Sequence, residues 1–369
     1  MYKSLQMGRA VAAILVVLLH LGNAVALDKY FGVKGFSIPF SFGGGVEFFF
    51  VLSGFIIFHA HKNDINRPEK IFSYAKKRLT RIYPTYWIIF LSVFFLALSS
   101  SLLRNTVPHD FWIIIKSLLL IPQDKNITNV WGTGTPVIDV AWTLHYEMIF
   151  YLFFSLLILN KWLGIISGTS LLLLSITLSG NSSVIFPLSF INNYYIFLFL
   201  MGMIVSLILS SKKTGSSKPA LLLGLGIIIF IFTIVDFFHT GSMLGDKITI
   251  SYGIASSFLI LGLVQFEKIG YVIGGQKFFQ VLGSSSYALY LTHYPIISIL
   301  CKLLSWGGAN KYGYLGAVIS YLFILIFCIF SAIIFHFIIE KPVIKWLRSP
   351  KLTFIKLRHL LDHKNRQTD

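Results

Sequence analysis

The sequence predicts an all-α fold: a polytopic membrane helix bundle of about ten transmembrane helices with both termini cytoplasmic. Three observations carry that prediction. The 369 residues are 56% hydrophobic and only 12% charged, too apolar for a soluble domain with a polar surface. The apolar residues gather into windows of about 18–20, the length that crosses a bilayer as a helix. With the N-terminus inside, 23 of the 31 Lys and Arg fall in inside segments and 8 outside, which follows the positive-inside rule. An odd number of spans would break that alternation, so both ends are read as cytoplasmic.

The first span, 9–27, follows Lys3 and Arg9 and imitates a signal peptide, with Ala24-Val25-Ala26 as a small-residue cleavage site. His20 interrupts its apolar core, so it is read as a retained helix. The second, 43–60, opens on Gly43-Gly44-Gly45, which permit an irregular helix start or close packing. The third, 82–103, follows the basic run Lys76-Lys77-Arg78-Leu79-Thr80-Arg81. Phe111 to Ile121 is too short to span and is read as interfacial or re-entrant. Spans 142–160 and 162–180 form a tight hairpin at Asn160-Lys161-Trp162. The remaining windows are 192–210, 219–237, 248–266, 285–304 and 313–338. Residues 1–342 are read as one membrane domain and 343–369 as a basic cytoplasmic tail, a membrane-surface or solvated helix rather than a nucleic-acid arm. No internal repeat points to a transporter's inverted halves. Cys301 and Cys328 sit in apolar stretches, so neither a disulfide framework nor a metal site is expected.

Function is sought among ionisable groups inside the spans, because burying them in lipid is costly. Arg9 and His20 are eleven residues apart. On a helix that spacing keeps them within about 20° of one face and about 16 Å apart along the axis. Glu47, His293 and Glu147 fall at mid to outer depth, so two imidazoles and two carboxylates could converge. The plain alternative is that each makes a helix–helix hydrogen bond. His145 is read as a structural partner, and His59 and His61 as ordinary solvated residues at the inner interface. Lys77, Arg78 and Arg81 with Arg9 form a basic mouth on the cytoplasmic side. That mouth is either a topology determinant or a phosphate clamp. Ser53-Gly54 is read as a helix-packing pair in preference to a nucleophile motif.

Taken together, these segments resemble the acyltransferase 3 family of integral-membrane acyltransferases. The matching stretches are Arg9 through His20, GVEFFFVLSGF (Gly45 to Phe55), RLTRIYPTYW (Arg78 to Trp87), WTLHYEMIFY (Trp142 to Tyr151), FLMG (Phe199 to Gly202), LGSSSYALYLTHYP (Leu282 to Pro295) and IEKP (Ile339 to Pro342). They occur in the family's order over nearly the whole chain. The second and fourth resemble most the subgroup acting on exopolysaccharides and capsules.

The resemblance implies transfer of an acetyl or other acyl group from cytoplasmic acyl-CoA, with acetyl-CoA the usual donor and no metal. The acceptor is a hydroxyl of a polysaccharide or lipid-linked oligosaccharide, at the inner (cytoplasmic) membrane. Arg9 and His20 are then the core pair, with Arg78 and Arg81 near the donor; Glu47 stands where many members carry Asp. Some members append a periplasmic esterase-like domain; none is expected here, so the membrane domain completes the transfer or hands the acyl group to a partner.

The chemistry expected is general-base catalysis by His20, with Glu147 or Glu47 orienting its imidazole and His293 as a second acid–base group or a wall hydrogen bond. A route through acetyl-His20 is also open. The competing class is a transporter or flippase for a glycan or organic anion, using the same His and Glu groups as a proton relay. Membrane lipid is an expected partner and nucleic acid is not.

Overall fold

A computed structural model describes residues 2–100, 103–124, 126, 134–179, 181, 183–211, 218–240 and 246–349. All regular structure among them is helical. The principal helices are α1 (Lys3–Ala26), α2 (Gly45–His61), α3 (Ile71–Ser99), α4 (Phe111–Leu118), α5 (Trp142–Leu159), α6 (Lys161–Leu178) and α7 (Tyr195–Ser210). They continue as α8 (Pro219–Thr240), α9 (Asp246–Lys268), α10 (Lys277–Ser284), α11 (Ser286–Trp306), α12 (Gly313–Phe335) and α13 (Lys341–Arg348), with a π-helical turn at His336–Glu340 before α13.

Among the described residues nine helices are long and apolar enough to cross a membrane, so the chain is a multi-pass membrane protein. The span expected at 192–210 is α7, whose sixteen residues reach about 24 Å, short of the roughly 30 Å hydrocarbon core. Its closeness to α2 explains how so short a helix is held. A Cβ on Gly54 would collide with the backbone carbonyl of Phe199, and one on Gly202 with that of Val51. Only hydrogen fits at either position, so Ser53-Gly54 and Phe199 to Gly202 are the two sides of one backbone contact. The third expected span starts earlier than anticipated, because α3 runs unbroken through the basic segment from Ile71.

The centre of the bundle is α1. Ala10, Ala13, Val17, Leu21 and Val25 recur at helical spacing and pack on Leu289, Ile297, Cys301, Ala317 and Ile324 of α11 and α12. Leu5 and Ala12, on another side, meet the cluster around Phe48, Val51 and Phe55 of α2. A helix covered on both sides turns Arg9 and His20 inward between helices. There they open into cavities.

After α3 the chain folds back along it. Asp110 caps α4 by accepting from the Ile113 amide at 2.9 Å. At the other end the carbonyls of Leu119, Ser117 and Leu118 accept from Tyr83 Oη (2.8 Å), Tyr86 Oη (2.7 Å) and Trp87 Nε1 (2.8 Å). Helix-terminal carbonyls inside a bilayer need such partners. Trp87 precedes the end of α3 by twelve residues, which sets the tip of α4 about 18 Å inward of it. The aromatic half of RIYPTYW is therefore the socket of α4.

Chain direction is fixed by ties at one end of the bundle. Glu267 accepts from the Lys3 and Ser4 amides. Lys62 donates to Ser210 Oγ at 2.7 Å, and Lys268 to the Leu209 carbonyl at 2.8 Å. The start of α1 thus shares an end with the C-terminal ends of α2, α7 and α9. Arg348 of α13 lines the same cavity as Arg9. Lys212 and Lys213, counted in the charge balance, and the tail beyond Ser349 lie outside the described residues.

Candidate active site

Arg9 opens into a cavity of about 330 Å³. Val46, Phe49, Phe50, Ser53, Ile56 and Ile57 of α2 give it one wall, a stripe at spacings of three and four. From α3 come Lys77, Arg78 and Arg81, from α5 Thr143, Glu147 and Tyr151, from α11 Tyr287 and Tyr290, and from α13 Arg348. Five cations face one carboxylate. Glu147 is held by Tyr151 Oη and by Ser53 Oγ at 3.4 Å, both donating to the same carboxylate oxygen. Arg9, itself buried, lies in the attractive field of Glu340 and Glu147 and the repulsive field of Arg81. Glu340, in the IEKP segment, is a further buried carboxylate that accepts from His336 Nδ1 at 2.7 Å. The π turn carries both residues. Its fifth-residue period swings Glu340 back into the bundle.

Arg78 is held by a group the sequence reading left as solvated. Its Nη2 donates to His61 Nε2 at 2.9 Å. A guanidinium can only donate, so His61 carries its proton on Nδ1 and gives it to Asp64 Oδ2 at 2.7 Å. His61 is buried, not solvated. Asp64–His61–Arg78 is thus an oriented chain that leaves the rest of the Arg78 fork to the cavity. A signal was present in the sequence: Asp64 follows His61 by three residues, the spacing of one helical turn.

His20 opens into a second cavity, of about 390 Å³, toward the opposite end of α1. Its walls come from the chain after α1 (Lys29, Tyr30), the segment before α4 (Asn105 to Pro108), the segment before α5 (Thr135 to Val137, Asp139) and α11 (Tyr294, Pro295, Ser298, Lys302). The two cavities share no lining residue. Tyr290 closes the first, its Oη bonded to Thr143 Oγ1 at 2.9 Å and to the Val140 carbonyl at 3.1 Å. One turn along α11, Tyr294 belongs to the second.

His293 stands in the partition between them. It is fully buried, with its ring 5.3 Å from that of His20 and 5.9 Å from that of Tyr290. Its Nδ1 faces the Leu289 carbonyl at 3.0 Å. A carbonyl can only accept, so Nδ1 bears the hydrogen and Nε2 keeps its lone pair. That Nε2 has no hydrogen-bond partner among the described residues.

The structure therefore brings His20 to His293, and Arg9 to Lys77, Arg78, Arg81 and Glu147. It does not bring either expected carboxylate to His20. Glu147 belongs to the Arg9 cavity. Glu47 lines neither cavity and lies instead in the field of Tyr252 on α9. The reason is angular: the cavity stripe of α2 passes through Val46, and the next residue points about 100° away. The carboxylate in the His20 cavity is Asp139, in a short turn before α5. His145 is buried beside Phe190, ring to ring at 5.9 Å, away from both cavities. Among the described residues no group of three or more His, Cys, Asp or Glu could hold a metal ion.

With this geometry in hand, comparison with known proteins is decisive about class. The profile of the acyltransferase 3 family, described as an acyltransferase domain, matches residues 2–339. The chain belongs to that family. It is an acyltransferase, and the transporter reading falls. Similar proteins include the exopolysaccharide production protein ExoZ of Rhizobium meliloti, 28% identical over 84% of this chain and 92% of that protein. The O-acetyltransferase OatA of Staphylococcus aureus is 26% identical over 82% of this chain and 52% of its own length, so the chain spans about half of that relative. No solved structure gives a significant match.

Proposed function

We propose that this acyltransferase moves an acetyl group from cytoplasmic acyl-CoA to a hydroxyl of a cell-envelope or exported polysaccharide, or of its lipid-linked precursor, in the inner membrane. The observation that carries the reading is the back-to-back pair of cavities on one helix, with two imidazoles at the partition. The Arg9 cavity suits a polyanionic donor: Arg forks match phosphate oxygens, and Lys77, Arg78, Arg81, Arg348 and Arg9 supply them. It also adjoins the basic segment that the positive-inside rule puts in the cytoplasm. Arg9 and His20 are eleven residues apart on one unbroken helix, about 16 Å, a distance the pantetheine arm of CoA covers. The names of ExoZ and OatA support a polysaccharide and an O-acetyl product.

In the reaction, neutral His20 takes the proton from the acceptor hydroxyl as its oxygen bonds to the thioester carbon. The tetrahedral adduct collapses, the C–S bond breaks, and the CoA thiolate leaves with the proton returned by His20. His293 stands where the third group of a triad stands: its Nε2 lone pair, unpartnered among the described residues, is available to the His20 ring 5.3 Å away as charge forms there. The fields of Glu340 and Glu147 offset part of the repulsion that Arg9 meets from Arg81.

The test is CoA release and glycan acetylation by purified protein given acetyl-CoA, with and without an envelope-glycan fraction. Glycan-dependent release that His20→Ala loses supports the assignment. Release without glycan in the wild type would place the acyl group on the enzyme first. An active His20→Ala protein would remove His20 from the chemistry.

A further inference from the structure

We propose that the His20 cavity selects an anionic acceptor: a glycan whose carboxylate or phosphate, set back from the reacting hydroxyl, sits between Lys29 and Lys302. The proposal rests on the acyl-transfer reading above and names the acceptor class for the same site.

Both lysines line the His20 cavity. They come from different elements, the chain just after α1 and the last turns of α11, yet lie in each other's repulsive field. Two ammonium groups brought together raise the energy of the empty site, and a bound oxyanion reverses the sign. The neighbour best placed to neutralise Lys29 is engaged elsewhere: Asp28 is paired with Lys34 at 2.8 Å. Lys29 rests on the Tyr30 ring, 5.1 Å from its centroid, and no carboxylate pairs with either lysine among the described salt bridges. Lys302 is half-buried along the cavity wall. The one lining carboxylate, Asp139, is in the field of Tyr290 on the partition. The cavity thus holds two cations on its wall, and a neutral glycan gains nothing from them.

Position sets the register. Tyr294 packs edge-on against His20 at 5.4 Å, and Lys302 follows it by eight residues on α11, a rise of about 12 Å. The oxyanion therefore belongs to a group neighbouring the acetylated sugar. A uronic-acid sugar and the diphosphate of a lipid-linked sugar both offer that chemistry. Asn23, Asn105 and Thr106 on the same wall are left to hydrogen-bond the sugar hydroxyls.

The test uses full-length protein in detergent, acetyl-CoA, and three acceptors: a neutral glucan tetrasaccharide, the same tetrasaccharide oxidised to carry uronic carboxylates, and a polyprenyl-diphosphate-linked sugar. The expected result is a KM about tenfold lower for a charged acceptor than for the neutral one, the size of one charge-assisted contact. The preference collapses in K29Q/K302Q and with added salt, and survives in Lys302→Arg and in Lys34→Gln. Whichever charged acceptor shows it identifies the source of the oxyanion. Equal use of charged and neutral acceptors, unchanged in K29Q/K302Q, would overturn the lysine assignment and leave acyl transfer standing. Transfer to none of the three or to crude glycan by protein that binds acetyl-CoA would overturn the acyl-transfer reading and this assignment with it.

Discussion

His20 and His293 lie 273 positions apart in the chain, yet their rings stand 5.3 Å apart at the partition between two cavities. Only one of them is open to a cavity. His20 lines the second cavity, whereas His293 is fully buried with its Nε2 lone pair unpartnered among the described residues. That division of labour predicts unequal losses. His20→Ala should lower kcat at least about 100-fold, the lower end for loss of a general base, with the KM for acetyl-CoA unchanged. His293→Gln should lower kcat about tenfold and move the acid limb of its pH profile, because it acts through His20. Equal loss in both variants with an unshifted profile would make His293 a packing residue.

Arg78 is oriented by His61, not by solvent. His61→Ala removes the acceptor and leaves the Arg78 fork free to turn. The KM for acetyl-CoA should rise about tenfold, comparable to losing one charge-assisted hydrogen bond, with kcat little changed. Asp64→Asn should act in the same direction and more weakly, since Asn still accepts from Nδ1. Steady-state kinetics against acetyl-CoA separate this from a folding defect, which would lower the amount of active protein without altering KM.

The membrane class, most spans and the placing of Arg9 and His20 on one helix were legible because each depends on local periodicity along one segment. A helix sets its own angles, so eleven residues place two side chains on one face whatever surrounds them. The neighbours of Glu47 and Glu147 were not legible, because they depend on how α2 and α5 rotate about their axes, which the packing of Gly54 on α7 and of Tyr151 on Glu147 decides. His61 looked like an interfacial histidine because its partner Arg78 lies across a turn and on another helix. Asp139 carried no signal beyond its type. The aromatic run Tyr83 to Trp87 was visible as part of a family segment, but its role emerges only once α4 folds back against it.

Gly54 and Gly202 each face a backbone carbonyl with no space for a methyl group. Gly54→Ala should cost about 1–3 kcal/mol, the usual penalty for forced overpacking, read as a lower unfolding midpoint in detergent. Because Ser53 carries the hydroxyl that touches Glu147, separating α2 from α7 should also weaken donor binding. Ser53→Ala should leave the unfolding midpoint nearly unchanged. If Ser53→Ala instead abolished turnover while Gly54→Ala was neutral, the pair would be a nucleophile motif and not a packing contact.

Tyr290 closes the Arg9 cavity and touches the partition, with its hydroxyl tied to Thr143 and to the Val140 carbonyl and its ring near Phe49 at 6.2 Å. On the proposed reading, an acyl group passing from one cavity to the other goes by this side chain. Truncation should therefore join the two spaces and admit water to the thioester. Tyr290→Ala is expected to release CoA from acetyl-CoA without glycan at a rate well above wild type, while acetyl transfer to glycan falls. Tyr290→Phe keeps the ring and loses only the hydrogen bonds, so it should stay coupled, with a modest loss of stability of about 1 kcal/mol. The measurement is the ratio of CoA released to acetyl groups found on glycan. A ratio near one in Tyr290→Ala would show that the ring is not the barrier and that the imidazole pair itself keeps water from the acyl group.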